Sequence, residues 1–280
     1  MQRAWVILEN AQVSIELPAQ DAEILPGVLW GRVEAFPTPA YWAYQVIARR
    51  IASQTVRYKL GATLREEVGA CLLGGHGIPA SIGLAAFEHL KQKGAFAIAP
   101  PDEQSLRQWL SEPITSGDRQ VRYRFASQKA KYLAAALRKI ANESAPSTGR
   151  ALRDWIISVP GIGYKTASWI ARNWLDADDV AILDIHILRA GVIAGFLNHE
   201  LTVERHYLQL EAQFLELSRA MGAKPSELDA VIWLEMAHSR ATVERILNEL
   251  PEGNFKRRHA SSRPSIDARK PHSHQLSLLR

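Results

Sequence analysis

The 280-residue sequence predicts a mainly α-helical protein with a small β-containing segment at its N-terminus. Three observations lead there. Apolar residues recur at helical spacing along the body, as in Leu64, Val68 and Leu72, or Leu133, Leu137 and Ile140. Glycine-rich breaks punctuate those stretches, at Gly74-Gly75-His76-Gly77 and at Pro160-Gly161-Ile162-Gly163. Strict alternation marks the start of the chain, in Val13-Ser14-Ile15-Glu16-Leu17.

Composition bounds the rest. Apolar residues make up 47% of the chain, yet no run reaches transmembrane length, and the N-terminus lacks a basic-then-apolar signal pattern. The single cysteine, Cys71, rules out an internal disulfide and a four-cysteine iron–sulfur cluster. It also points to a reducing, cytoplasmic compartment. No His/Cys cluster has metal-site spacing, so no metal or other cofactor is expected.

Residues 1–60 read as a β/α cap. Val13 to Leu17 is a half-buried strand, Pro26-Gly27 turns the chain, and Val28-Leu29-Trp30 is a second strand. Ala40 to Tyr58 then reads as a helix through Trp42, Val46, Ile47 and Ile51. The body, residues 61–250, follows. After the helix from Leu64 and its glycine break come Arg122-Tyr123-Arg124-Phe125 and Gln128-Lys129-Ala130-Lys131, cations interleaved with aromatics at a helix start. A solvated helix end or a face turned to a polyanion explains that run equally well.

The densest information lies between Val159 and Arg189. Ala151 to Ser158 reads as a short helix that Pro160 cannot continue. Gly161 and Gly163 permit close backbone approach, and a second helix starts near Tyr164 with Ala167, Ile170, Ala171 and Trp174 at helical spacing. The amides at such a start bind phosphate with help from the helix dipole. An ordinary helix–helix turn is the plainer reading of the glycines alone. Lys165 stands two residues past them, however, and Asp184 lies nineteen further on inside the apolar run Ala-Ile-Leu-Asp-Ile-His-Ile-Leu. A lysine and a lone aspartate beside a phosphate-binding turn point to an amine nucleophile.

Beyond Asp184, Thr202 to Met221 is an amphipathic helix whose stripe of Val203, Tyr207, Leu210, Phe214 and Leu217 is core. The next helix starts at Ser226 with Asp229 three residues on, a capping-box pattern, and buries Leu228, Val231 and Ile232. Trp233 falls about 140° around that helix from Leu228, so it packs on another element or lines a pocket.

Pro-Gly-Ile-Gly-Tyr-Lys-Thr-Ala followed by Ala-Ile-Leu-Asp-Ile-His-Ile-Leu-Arg resembles the helix-hairpin-helix DNA glycosylases. It is most similar to their compact type-two 8-oxoguanine DNA glycosylase/AP lyases. The similarity runs from about Leu64 to Trp233, some 170 of the 280 residues. It implies two helical subdomains flanking a cleft, and a monomer that binds double-stranded DNA with a damaged base. The amides of Gly161, Ile162 and Gly163 would hold the DNA backbone, with Arg124 and Lys129 beside them. His76 stands where these enzymes place a polar residue in the gap left by the flipped base, although a plain connecting loop also explains it. Trp233 stands where a tryptophan stacks on the extruded base.

On that resemblance Lys165, as a neutral amine, attacks the sugar C1′ and expels the base, and the resulting Schiff base undergoes β-elimination. Asp184 stabilises the cationic sugar; it also suits the N-cap of the helix from Ile185, and the two roles are compatible. The alternatives are a monofunctional glycosylase for another lesion, which leaves Lys165 idle, and a non-catalytic helix-hairpin-helix DNA-binding module. The work would lie at the nucleoid.

Residues 251–280 are polar, basic and aperiodic, as disordered tails are. Seven Lys/Arg there face Glu252 and Asp267, a net +5 that equals the charge of the whole chain. The body therefore sums to near zero. At the tip, Gln275-Leu276-Ser277-Leu278-Leu279 resembles the short peptide by which bacterial DNA enzymes dock on the sliding clamp, with leucine where phenylalanine is commonest. The other expectation is that these leucines fold back onto the protein's own body.

Overall fold

The computed structural model describes residues 1–53, 59–75 and 77–249. They form two compact units: one built from residues 1–53 and 178–249, the other from 59–75 and 77–177. The chain is mostly helical, and its three small sheets have two strands each among the described residues.

The first unit opens with the antiparallel hairpin of β1 (Gln2–Leu8) and β2 (Ala11–Leu17), in register from Gln2↔Leu17 to Leu8↔Ala11. Alternation in β2 places Ile15 and Leu17 inward with Val6. The expected second strand is β4 (Val28–Leu29), paired with β3 (Glu23–Leu25) rather than with β2. β1 carries Trp5 and Ile7 on its exposed face, which breaks the alternation that sequence reading requires.

Helix α1 (Pro39–Ile51) is capped by Thr38, whose hydroxyl accepts from Tyr41 N at 3.1 Å. It ends earlier than its apolar spacing predicts; residues 54–58 lie outside the described residues. Trp42 and Val46 project from α1 into a core shared with residues from the C-terminal helices, including Leu188, Phe214 and Ile232. The N-terminal segment is thus part of this unit's core rather than a separate cap.

The second unit comprises α2 (Leu64–Leu73), α3 (Ala80–Gln92), α4 (Glu103–Ser111), the hairpin β5 (Pro113–Ser116) and β6 (Arg119–Arg122), α5 (Ala126–Asn142), α6 (Gly149–Ile156) and α7 (Tyr164–Leu175). Thr63 and Asp102 cap α2 and α4 through their side chains. Leu72, Phe87, Leu106, Leu133, Leu137 and Ile170 fill one continuous core. Arg122, expected at a helix start, is the last residue of β6, and Ile114 of β5 is buried.

A buried carboxylate organises this unit. Glu67 is inaccessible to solvent; its Oε2 accepts from Leu60 N (2.7 Å) and Gly61 N (2.8 Å), and its Oε1 accepts from Asn173 Nδ2 (2.8 Å). It thereby ties α2 to α7. The Cys71 thiol, 3.8 Å from the same carboxylate, is pushed well up in pKa by burial and by that negative charge.

The first unit closes with α8 (Ile185–Ala194), α9 (Val203–Met221), α10 (Pro225–His238) and α11 (Arg240–Glu249). Helix α10 starts earlier than predicted. Pro225 occupies its first turn, and the Glu227 carboxylate, not Asp229, accepts the Lys224 amide at 3.0 Å. No helix among the described residues is long and apolar enough to cross a membrane.

Candidate active site

The lysine sits at a helix start that the local sequence makes tight. After α6, Val159 N donates to Ile156 O (3.0 Å) and Ile162 N to Val159 O (3.1 Å). Gly161 turns the chain at φ +82°. Ile162 is buried and pegs the turn into the core, which leaves Gly161 and Gly163 exposed on either side. Gly163 is the N-cap of α7 and brings no side chain to its first turn.

Lys165 is the second residue of α7 and is exposed. Behind the turn, the nearly buried Arg153 lies 5.9 Å from the centre of the Tyr164 ring and donates to Asp154 Oδ1 at 2.9 Å. That buried cation was not legible in the sequence, because its position on α6 reads as an ordinary polar one.

Both glycine breaks lie near α5, each against a different aromatic residue. Tyr132 of α5 covers Gly161, and Phe125, just before α5, lies 4.0 Å from where a Cβ of Gly77 would stand. His76 lies outside the described residues. Lys129 points inward: its Nζ donates to Leu72 O (2.6 Å) and Gly74 O (3.3 Å) at the end of α2. Burial lowers its pKa. Tyr123 OH donates to Leu73 O at 2.6 Å, so two side chains hold the carbonyls that lead into the glycine break. Arg124 is exposed, with its guanidinium 5.3 Å from the Phe125 ring centre.

Asp184 belongs to the first unit. Its Oδ1 accepts from His186 N (2.8 Å) and Ile187 N (3.1 Å), which makes it the N-cap of α8. The segment before it is pinned from α9. Glu211 Oε1 accepts from Ala181 N (3.0 Å), while Tyr207 OH accepts from Leu183 N (3.1 Å) and donates to Ala181 O (2.7 Å). The Tyr207 ring is core, as its stripe predicts; its hydroxyl has the further job of fixing the approach to Asp184.

Trp233, on α10, is half-buried and meets His186 edge to face, with ring centres 6.3 Å apart at 79°. Asp184, His186 and Trp233 thus stand together at the start of α8. His186 escaped sequence reading, since a histidine two residues past an N-cap carries no signal of its own. Gln275, Leu276, Leu278 and Leu279 lie outside the described residues.

Charge divides sharply between the units. Residues 59–177 hold sixteen Lys/Arg against ten Asp/Glu, a net +6. Residues 1–53 with 178–249 hold ten against seventeen, a net −7. The near-neutral body is the sum of two opposed fields, and the cationic unit carries Lys165 and the glycine turn. Arginines 3, 32, 49, 50 and 240 of the anionic unit are paired with carboxylates. Among the described residues no carboxylate lies within ion-pair reach of Arg119, Arg122, Arg124 or Lys131 in the cationic one.

The family model for 8-oxoguanine DNA glycosylase, of the helix-hairpin-helix type, matches residues 52–223. The chain belongs to this family. Among curated glycosylases, the 8-oxoguanine DNA glycosylase/AP lyase of Picrophilus torridus is 31% identical over 178 residues, 61% of this chain and 78% of that protein. The enzyme of the same name from Methanocaldococcus jannaschii is 34% identical over 117 residues, 40% of this chain. That match spans 56% of the Methanocaldococcus protein's length. A crystal structure of the Methanocaldococcus glycosylase superposes with a TM-score of 0.51 at 22% identity, covering 71% of this chain and 94% of that one. At that identity the likeness concerns the helix-hairpin-helix glycosylase fold alone. Residues 1–51 and 224–280, the latter including Trp233, fall outside the family match.

Proposed function

We propose that this protein is a bifunctional DNA glycosylase/AP lyase that removes 8-oxoguanine from double-stranded DNA. The observation that carries the reading is Lys165 in the first turn of α7, directly after the exposed Gly161–Gly163 turn, in a member of this glycosylase family. The amides at Gly163 and the start of α7, with the helix dipole, hold a DNA phosphate, while the buried Ile162 amide is engaged by Val159 O within the turn. The cationic field of residues 59–177 draws the duplex to the unit that carries the nucleophile.

The target nucleotide is extruded, and its base stacks on Trp233. The neutral amine of Lys165 attacks C1′; the bond from C1′ to the base breaks, and the base leaves with a proton. Ring opening of the sugar yields an imine on Nζ. Loss of a C2′ proton then expels the 3′ phosphate and cuts the strand. Asp184 stabilises the positive charge that develops on the sugar as the base departs. With one carboxylate oxygen accepting the two α8 amides, its side chain is held in a single orientation. Arg124 contacts the DNA backbone, and Lys129 acts from behind by shaping the break that carries His76, the residue that fills the vacated stack.

The sliding clamp is the proposed protein partner, engaged through Gln275, Leu276, Leu278 and Leu279, and the enzyme works as a monomer at the nucleoid. Incubation with a duplex containing 8-oxoguanine opposite cytosine, followed by borohydride, tests the catalytic reading. A covalent adduct together with strand scission is the expected result. Base release without scission would make the protein a monofunctional glycosylase, and binding without chemistry a DNA-binding module.

A further inference from the structure

The N-terminal segment, residues 1–51, is fastened to α10, and both lie outside the family match. Tyr41 OH donates to Glu235 Oε2 at 2.9 Å, and Arg49 Nη2 lies 3.3 Å from Glu235 Oε1. Arg50 grips Glu227 with two nitrogens, Nε at 2.9 Å and Nη2 at 2.5 Å, and reaches Gly222 O at 3.3 Å. Glu227 is the residue whose carboxylate caps the start of α10. Three side chains of α1 therefore hold both ends of α10.

Trp233 is on the same helix, turned away from these contacts. At about 100° per residue it lies roughly 160° from Glu235 and 120° from Glu227. On that far side it meets His186 of α8. Helix α10 is apolar on several faces, with Leu228, Val231, Ile232 and Met236 all buried, so a greasy stripe alone does not define its rotation. The directional contacts from α1 do. The Glu235 contacts are worth more than surface ones: both partners of the Arg49 pair are only 23% exposed, and burial beside Glu235 pushes the Tyr41 phenol up to about 12.

We infer that Tyr41, Arg49 and Arg50 are positioning residues: the N-terminal segment is a brace that sets the rotation of α10, and through it the placement of Trp233 at the start of α8. This rests on the reading that Trp233 stacks on the extruded base. A brace of this kind acts on base handling and leaves the lysine's chemistry at an abasic sugar alone, since an abasic site has no base to stack.

The double variant Tyr41→Phe/Arg49→Met tests it in two independent ways. The first is fluorine NMR of 5-fluorotryptophan-labelled protein, with the Trp233 resonance assigned by Trp233→Phe. The Trp233 signal should shift or broaden while those of Trp109 and Trp155, in the other unit, stay in place. An unmoved Trp233 signal, or all signals moving together, overturns the inference whether or not the protein proves to be an enzyme. The second is single-turnover kinetics. Excision of 8-oxoguanine should fall by about tenfold or more, with scission at a preformed abasic site within about twofold of wild type. Arg49→Lys should recover part of the loss. Equal loss of both activities would mean plain destabilisation and would sink the brace. Wild-type protein inactive on both substrates would remove the functional reading and leave the NMR result to decide the brace.

Discussion

The ring of Tyr132 lies against Gly161 so closely that a Cβ there would come within 2.1 Å of ring atom Cδ2. Gly161 also holds φ at +82°, where side chains are strained. Two residues on, Gly163 has φ −93° and nothing within 4 Å of a would-be Cβ. The two glycines are therefore there for different reasons. Gly161→Ala should destabilise the protein by about 2–4 kcal/mol, from overpacking and strain together. Calorimetry would read that as a fall in Tm of several degrees. Gly163→Ala should leave Tm within about 2 °C and weaken DNA binding, because its methyl would stand where a phosphate approaches the α7 amides. Unchanged DNA affinity in a folded Gly163→Ala protein would argue against that approach.

Lys165 supplies the sharpest chemical test. Lys165→Gln should abolish borohydride trapping and lower strand scission by at least ~10³-fold, equivalent to ~4 kcal/mol. DNA binding should survive, since backbone amides do that work. A persisting covalent adduct would give the nucleophile's role to another amine.

Asp184 has a measurable structural role, so its catalytic one must be separated from it. Asparagine caps helices about as well as aspartate, and Asp184→Asn keeps an oxygen for His186 N and Ile187 N. Melting should change by about 1 kcal/mol or less, while excision by the folded protein falls by about 10²-fold or more through the lost charge. A large drop in Tm with unchanged activity per folded molecule would make Asp184 a cap and nothing else.

Lys129 and Tyr123 together hold three carbonyls at the end of α2. Lys129→Met keeps the packing stem and removes the donors, at a cost of about 1.5–3 kcal/mol. Amide exchange near Gly74 and Gly75 should quicken. The pH dependence has a definite sign. Burial lowers the folded pKa of Lys129, so the unfolded chain holds more protons just below the ordinary lysine value. Wild-type stability gains from that group as pH climbs through this window, and the gain should be missing in Lys129→Met.

Much of this was readable from residue order, and the failures have physical causes. The helices and the Gly161–Gly163 turn were legible because their signals are local: periodic apolar residues, a proline stop, glycines. The hairpin β5–β6 was not, since Pro113 to Arg122 pairs across a short turn with one buried residue, Ile114, and little alternation to betray it. Lys129 looked DNA-facing because sequence records a charge and not its direction. Glu67, Tyr207 and Glu211 act on main-chain groups or partners distant in the chain, as with Asn173, 106 residues away from Glu67. The charge asymmetry was hidden by summation, because the chain enters the anionic unit twice, at each end of the cationic one.

The last prediction concerns the tip of the chain, where Leu276, Leu278 and Leu279 close a polar, basic stretch. Nothing local in the sequence can bury three leucines there, so a partner surface or the protein's own body must. In a clamp pocket each leucine would contribute about 1–2 kcal/mol of apolar burial, with Gln275 hydrogen-bonding at the rim. Ordering a free tail offsets much of that, which leaves a Kd near the micromolar range, on the order of −8 kcal/mol. Titrating a peptide of residues 270–280 against a bacterial sliding clamp should give saturable binding. Alanine at Leu278 and Leu279 should weaken it by at least ~10-fold. Absence of binding at ~100 μM, or equal binding by the alanine peptide, removes the clamp as partner. In that event, removal of residues 275–280 should lower the Tm of the full chain if these leucines cover an apolar patch of its own.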